Sequence, residues 1–173
     1  MKMKLFSIAI GISLLLAASG CAKQSPNSYK DSVTTALAQA DLKDVSVSED
    51  ADKNTVTLGG TLHSNEAKQH AEDVAKSNAG SRIVVNEISV QPVGMESEAK
   101  SIASNLDDGI ESNYKAALVS KGLDKQHIRF DAKNGVLTLK GNVKTTGQRK
   151  EAELLAQAVP NVQQVLNEID VKR

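Results

Sequence analysis

The feature that most restricts the fold is an internal repeat. Displaced by 81 residues, the stretch 36–90 aligns with 117–171 without a gap, and 16 of the 55 positions are identical. The matches include Ala36/Ala117, Leu42/Leu123, Thr57/Thr138, Leu58/Leu139, Gly60/Gly141, Ala71/Ala152 and Ala75/Ala156, and they end on Asn86, Glu87, Ile88 and Val90 against Asn167, Glu168, Ile169 and Val171. Apolar exchanges such as Val47/Ile128, Val56/Leu137 and Val74/Leu155 fill the intervening places. A repeat of this length is a small folded unit built twice, so one solution must serve both copies.

The local pattern predicts that unit. Val33, Ala36, Leu37 and Ala40 recur at helical spacing, as do Tyr114, Ala117 and Leu118. Val45 and Val47, like Ile128 and Phe130, alternate with polar residues and predict a strand. Asp52-Lys53-Asn54 and Lys133-Asn134-Gly135 are turn sequences that close a hairpin onto 56–58 and 137–139. Ser64 and Thr145 are placed to cap a second helix, whose apolar face is Ala67, Ala71, Val74 and Ala75 in one copy and Ala152, Leu155, Ala156 and Val159 in the other. A last strand covers 84–90 and 165–171. The expected class is α+β: two tandem αββαβ modules, each a small mixed sheet packed against two helices. Such units are marginal alone, so contact between them is expected to help.

Aromatic residues are only 2% of the chain, so the cores must be built from Val, Ile, Leu and Ala, which suits compact modules better than a deep ligand cavity. Pro92 and Gly94 mark the boundary, giving modules over 29–92 and 93–173. The second has an extended first helix, for Ile102, Ala103 and Leu106 lie at helical spacing in a segment without counterpart in the first. That stripe is expected to pack against the first module.

The beginning of the chain reads as an address. Lys2 and Lys4 precede the 14-residue apolar stretch 5–18, too short for a comfortable bilayer span, and Ser19 and Gly20 then lead to Cys21, the single cysteine. Residues 1–20 are read as a signal peptide, and 21–28 as a polar tether. The run Leu16-Ala17-Ala18-Ser19-Gly20-Cys21 resembles a bacterial lipobox. That resemblance implies cleavage before Cys21 and acylation of it, with several chains anchoring the protein where one would not. Ala22, in place of an aspartate, implies sorting to the periplasmic face of the outer membrane.

A hairpin with glycine in its second strand, an alanine-rich helix and a strand of the form Val-x-Asn-x-Ile-x-Val together resemble the BON domain. The residues that carry the likeness are 56–60 with 84–90, and 137–141 with 165–171. The resemblance implies a non-catalytic module of the cell envelope, with anionic phospholipid as the usual ligand and osmotic or envelope stress as the setting. A periplasmic protein–protein adaptor is the alternative. Gly60 and Gly141 are read as structural glycines, at a bulge or a close approach of helix and strand. Asn86/Asn167 and Glu87/Glu168 are read as anchoring residues at a strand edge or turn.

Reactive chemistry is not indicated. His63 and His70 are seven apart but have no counterparts in the second copy, and no cysteine can join them as a metal ligand. No phosphate loop, nucleophile elbow or dinucleotide fingerprint occurs, so no catalytic residue, metal or cofactor is expected. Charge is where the copies differ. Residues 22–92 carry seven basic and ten acidic side chains, and 93–173 carry twelve and eleven. The balance argues against nucleic acid as a partner. Lys140, Lys144, Arg149 and Lys150 are the candidate contacts for anionic lipid, three of them around the start of a helix whose dipole also favours anions.

Overall fold

A computed structural model describes residues 29–172; the signal peptide, Cys21 and the tether expected before them lie outside these residues. The first module runs α1 (Tyr29–Gln39), β1 (Val45–Asp50), β2 (Thr55–Leu62), α2 (Asn65–Asn78), β3 (Ile83–Asn86) and β4 (Ser89–Val90). The second runs α3 (Glu96–Ser120), β5 (His127–Lys133), β6 (Val136–Val143), α4 (Thr146–Gln157) and β7 (Gln164–Val171). Both follow the αββαβ order expected from the repeat, with the closing strand of the first copy broken into β3 and β4.

Each sheet is mixed. β1 and β2 form an antiparallel hairpin, and β3 and β4 join β2 in parallel; β5, β6 and β7 repeat this order. The middle strand of the three is therefore the second in sequence. Residues of one parity on it face the helices: Val56, Leu58 and Leu62 in the first core, Leu137, Leu139 and Val143 in the second. From the helices, Val33, Leu37, Ala71 and Ala75 meet the first set, and Ile110, Tyr114, Leu118, Ala152 and Ala156 the second. The alanines on α2 and α4 let these helices lie close to the sheet. Burying each large aliphatic side chain contributes about 1.5–3 kcal/mol. Tyr114, fully buried, meets Phe130 edge to face with ring centroids 5.0 Å apart, and its hydroxyl donates to the Ala152 carbonyl at 3.2 Å.

The second helices begin where the sequence places their caps. Ser64 Oγ accepts from Ala67 N–H at 3.1 Å, and Thr145 with Gln148 forms a full capping box. α2 ends just before Gly80 (φ +60°), whereas α4 ends at Gln157 and the positive φ follows at Asn161 (φ +68°), after Pro160.

One pairing implied by the ungapped alignment is corrected. Val45, not Val47, takes the place of Ile128, since Val45 lies opposite Gly60 and Ile128 opposite Gly141. The first hairpin closes through four residues, 51–54, and the second through only Asn134-Gly135. Both residues of the shorter turn have positive φ, as a tight primed turn demands. The longer turn is offset by a shorter link between α1 and β1. Because side chains alternate with a period of two, a shift of two residues leaves the inward face unchanged.

α3 departs from expectation in its first half. Its buried residues are Ile110, Tyr114 and Leu118, whereas Ile102 and Leu106 remain 59% and 45% exposed. Ala99 and Ala103 line a cleft with Ile88, Val90 and Pro92 of the first module, so the helix reaches its neighbour without burying the larger side chains of the stripe. Among the described residues no helix is long and apolar enough to cross a membrane.

Candidate functional site

The two glycines occupy equivalent strained places. Gly60 has φ +105° and Gly141 φ +110°, a region that L side chains rarely adopt. A Cβ would strike the backbone carbonyl of Asp44 in one module and of His127 in the other. The close neighbour is the start of the first hairpin strand rather than a helix.

The repeated asparagines tie the last strand to the second helix. Asn86 Nδ2 donates to Glu72 Oε2 (2.9 Å) and to the Lys68 carbonyl (3.2 Å), while its Oδ1 accepts from Ile88 N–H (3.3 Å). Asn167 repeats all three bonds, with Glu153 Oε2 (3.0 Å), the Arg149 carbonyl (3.4 Å) and Ile169 N–H (3.2 Å). Burial opposes ionisation of Glu72. The bonds from Asn86 and Lys76 and the charges of Lys76 and Lys68 outweigh it, and hold the carboxyl below its ordinary range.

The repeated glutamates do something the alternation of residues does not announce. Glu87 pairs with Lys133 at 2.8 Å and Glu168 with Lys53 at 2.9 Å, so each module's glutamate reaches the hairpin of the other. The bond to Glu168 is the main reason the Lys53 ammonium is held above its ordinary range. Between the ion pairs lies a polar seam. Gln164 Nε2 donates to Val84 O (2.8 Å), Asn86 N–H donates to Gln164 Oε1 (3.3 Å), and Asn134 Nδ2 donates to Glu87 O (2.8 Å). Asp107 of α3 accepts from Asn134 N–H (2.8 Å) and Gly135 N–H (3.0 Å). Val85 and Val136 are buried on the sheet faces turned from the helices, and belong to neither core. The modules thus meet through an approximate twofold arrangement. Sequence reading found the glutamates but missed Gln164, Lys53 and Lys133 as their seam; the one signal was that Ile83, its mate in the repeat, is apolar.

A cleft of about 490 Å³ opens between α3 and this seam, with Ile102, Leu106 and Val162 on its apolar side and Lys68 at its rim. Burial pushes the Lys68 ammonium down, against the opposing pull of Glu72 and Asp107.

The four basic candidates are only partly gathered. Lys140 and Arg149 line one groove where the second module meets the hairpin turn of the first, and in it the Arg149 guanidinium donates to Asn167 O at 3.3 Å. Lys144 and Lys150 are exposed at the two sides of the α4 start and lie outside that groove. Among the described residues none of Lys140, Lys144, Arg149 and Lys150 has a carboxylate at ion-pair distance. The Lys121–Glu151 pair and the Tyr114 bond to Ala152 place the C-terminal half of α3 alongside α4. Ile102 and Leu106, near Asn161 and Val162, therefore lie at the opposite end from Lys144. His63 Nδ1 is 2.9 Å from the Gln91 carbonyl, and among the described residues no three His, Cys, Asp or Glu side chains gather as a metal site.

Fold and seam define a tandem pair of two-layer αββαβ modules docked into one unit. The model of the BON domain matches residues 28–92 and again 106–173, and the chain belongs to the BON-domain family, with two copies in tandem. It is similar to the osmotically-inducible protein Y of Escherichia coli (strain K12), 29% identical over 153 residues that cover 84% of this chain and 75% of that protein. Two structures of CdsD, a structural protein of the type III secretion system of Chlamydia trachomatis, align at 14% and 12% identity, each with a TM-score of 0.34. They overlap 83% of this chain, which spans only 65% and 61% of theirs.

Proposed function

We propose that this is a non-enzymatic lipoprotein of the bacterial cell envelope, anchored through acylated Cys21 at the periplasmic face of the outer membrane and serving under osmotic stress. Its second BON module meets anionic phospholipid. The observation that carries the lipid reading is the set of cations on one module, Lys140, Lys144, Arg149 and Lys150, left without carboxylate partners among the described residues. Near an anionic lipid surface each such group contributes about 1 kcal/mol, and the start of α4 adds its own attraction for anions. The stress setting is supported by the likeness to the osmotically-inducible protein Y.

Flotation of the chain carrying Cys21→Ser with phosphatidylglycerol vesicles tests this reading. Salt-sensitive binding that is absent from phosphatidylcholine vesicles is expected, and Lys144→Glu with Lys150→Glu should abolish it while far-UV circular dichroism is unchanged. Equal binding by that variant would remove the patch from the account. A second reading, an adaptor for other envelope proteins, is favoured by the open strand edge described next.

A further inference from the structure

A single carboxamide closes the outer edge of β3. Gln164 donates to Val84 O and accepts from Asn86 N–H, as the peptide group of an added strand would. The 81-residue repeat sets Val165 and Asn167 at the corresponding places on β7, and Ile83 where Gln164 stands.

The mate of the closed edge is open. Lys172 N–H donates inward to Val143 O, and alternation turns the backbone of Val165, Asn167, Ile169 and Val171 outward. Two of these outward groups are served within the chain: Asn167 O by Arg149, and Ile169 N–H by the Asn167 side chain. The Val165 carbonyl and the Asn167 amide have no protein partner among the described residues. Ile83, beside them and 49% exposed, has no side-chain donor or acceptor to offer. A groove of about 910 Å³ follows this edge, between Arg149 and Glu153 of α4 on one side and Asp52, Lys53 and Ile83 of the first module on the other.

We propose that the outer edge of β7 is a docking slot for an extended peptide segment of a partner protein, bound by strand addition. The occupant follows from the filled copy: the same backbone pair on β3 is already taken by a peptide-like group, and the intermodule seam leads directly into the open groove. Charges of both signs line it, so recognition rests on backbone pairing, with an apolar side chain of the guest against Ile83 and Leu166. A guest strand that continues beyond Val165 and Asn167 N–H displaces Arg149 from the Asn167 carbonyl. This slot is independent of the lipid reading.

The test is a nuclear magnetic resonance titration of the Cys21→Ser chain with a blocked peptide of alternating valine and threonine, a central glutamine and charged ends. Saturable shifts and slowed hydrogen exchange at the Asn167 backbone amide are expected. Ile83→Gln brings a carboxamide to the slot and should weaken the peptide about tenfold, the equivalent of one or two competing hydrogen bonds. Shifts confined to the α3 cleft, no saturable shift, or undiminished binding to Ile83→Gln would each overturn the proposal. So would slowing of this amide by phosphatidylglycerol vesicles but not by the peptide.

Discussion

Asn86 holds Glu72 at 2.9 Å, and 81 residues later Asn167 holds Glu153 at 3.0 Å, the same bond between last strand and second helix made twice. Both partners are among the identities of the repeat. The asparagine also covers an outward amide two residues on, so one side chain fastens a helix and shields a strand edge.

Replacing Asn86 or Asn167 by alanine should cost about 1–3 kcal/mol at neutral pH, as expected when a part-buried carboxylate loses its donor, read from urea denaturation. The effect at Glu72 depends on pH. Its folded-state pKa is depressed below 4.5, so its contribution is present above that value and is lost as the pH falls through the folded pKa. Stability curves of the parent chain and of Asn86→Ala should therefore converge on acidification. A constant difference down to pH about 2 would show that the carboxylate plays no part.

Gly60→Ala and Gly141→Ala should each destabilise their module by about 2 kcal/mol or more, because a positive φ is joined to a backbone collision. Gly94→Ala has positive φ but open space around it, and should cost only about 1 kcal/mol. Thermal unfolding of the three variants separates collision from conformational strain.

The reciprocal ion pairs link each module to the hairpin of the other. Glu87→Lys should raise hydrogen exchange in the seam by placing like charge against Lys133, and adding Lys133→Glu should restore protection. Replacing either pair by neutral residues should cost about 1 kcal/mol or less, since the lysines are exposed, and the cost should shrink as salt is raised.

Tyr114→Phe retains the ring against Phe130 and loses the bond to Ala152. A loss of about 1 kcal/mol is expected in chemical denaturation. Burial pushes the phenol well above its ordinary value, so ultraviolet titration should show it still protonated at a pH where free tyrosine has ionised.

Much of each module was legible in the order of residues. Alternation marks Val56, Leu58, Leu137 and Leu139 as inward, and the caps Ser64 and Thr145 mark the helix starts, because these effects act within a few residues. The hairpin shift escaped the alignment for a physical reason. Moving Val45 into the place of Ile128 preserves the face of every side chain, so hydrophobic pattern cannot distinguish the two registers. The basic candidates were legible as a charge excess, but their distribution was not: Lys140 and Arg149 share a groove that Lys144 and Lys150 do not enter.

By itself, the sequence determined that the chain is one αββαβ unit built twice, with special places for two glycines and two asparagines. Local propensity, period and backbone sterics suffice for that. The expectation of purely aliphatic cores failed at Tyr114 and Phe130, which pack in the second core. Only the tertiary structure decided that β2 and β6 are central, that Glu87 and Glu168 cross to the opposite module, and that Gln164 closes one strand edge while Ile83 leaves its mate open. Those outcomes depend on groups about 28 residues apart within a module and about 46 to 115 apart across the seam being brought face to face, and no local pattern encodes which partner waits there.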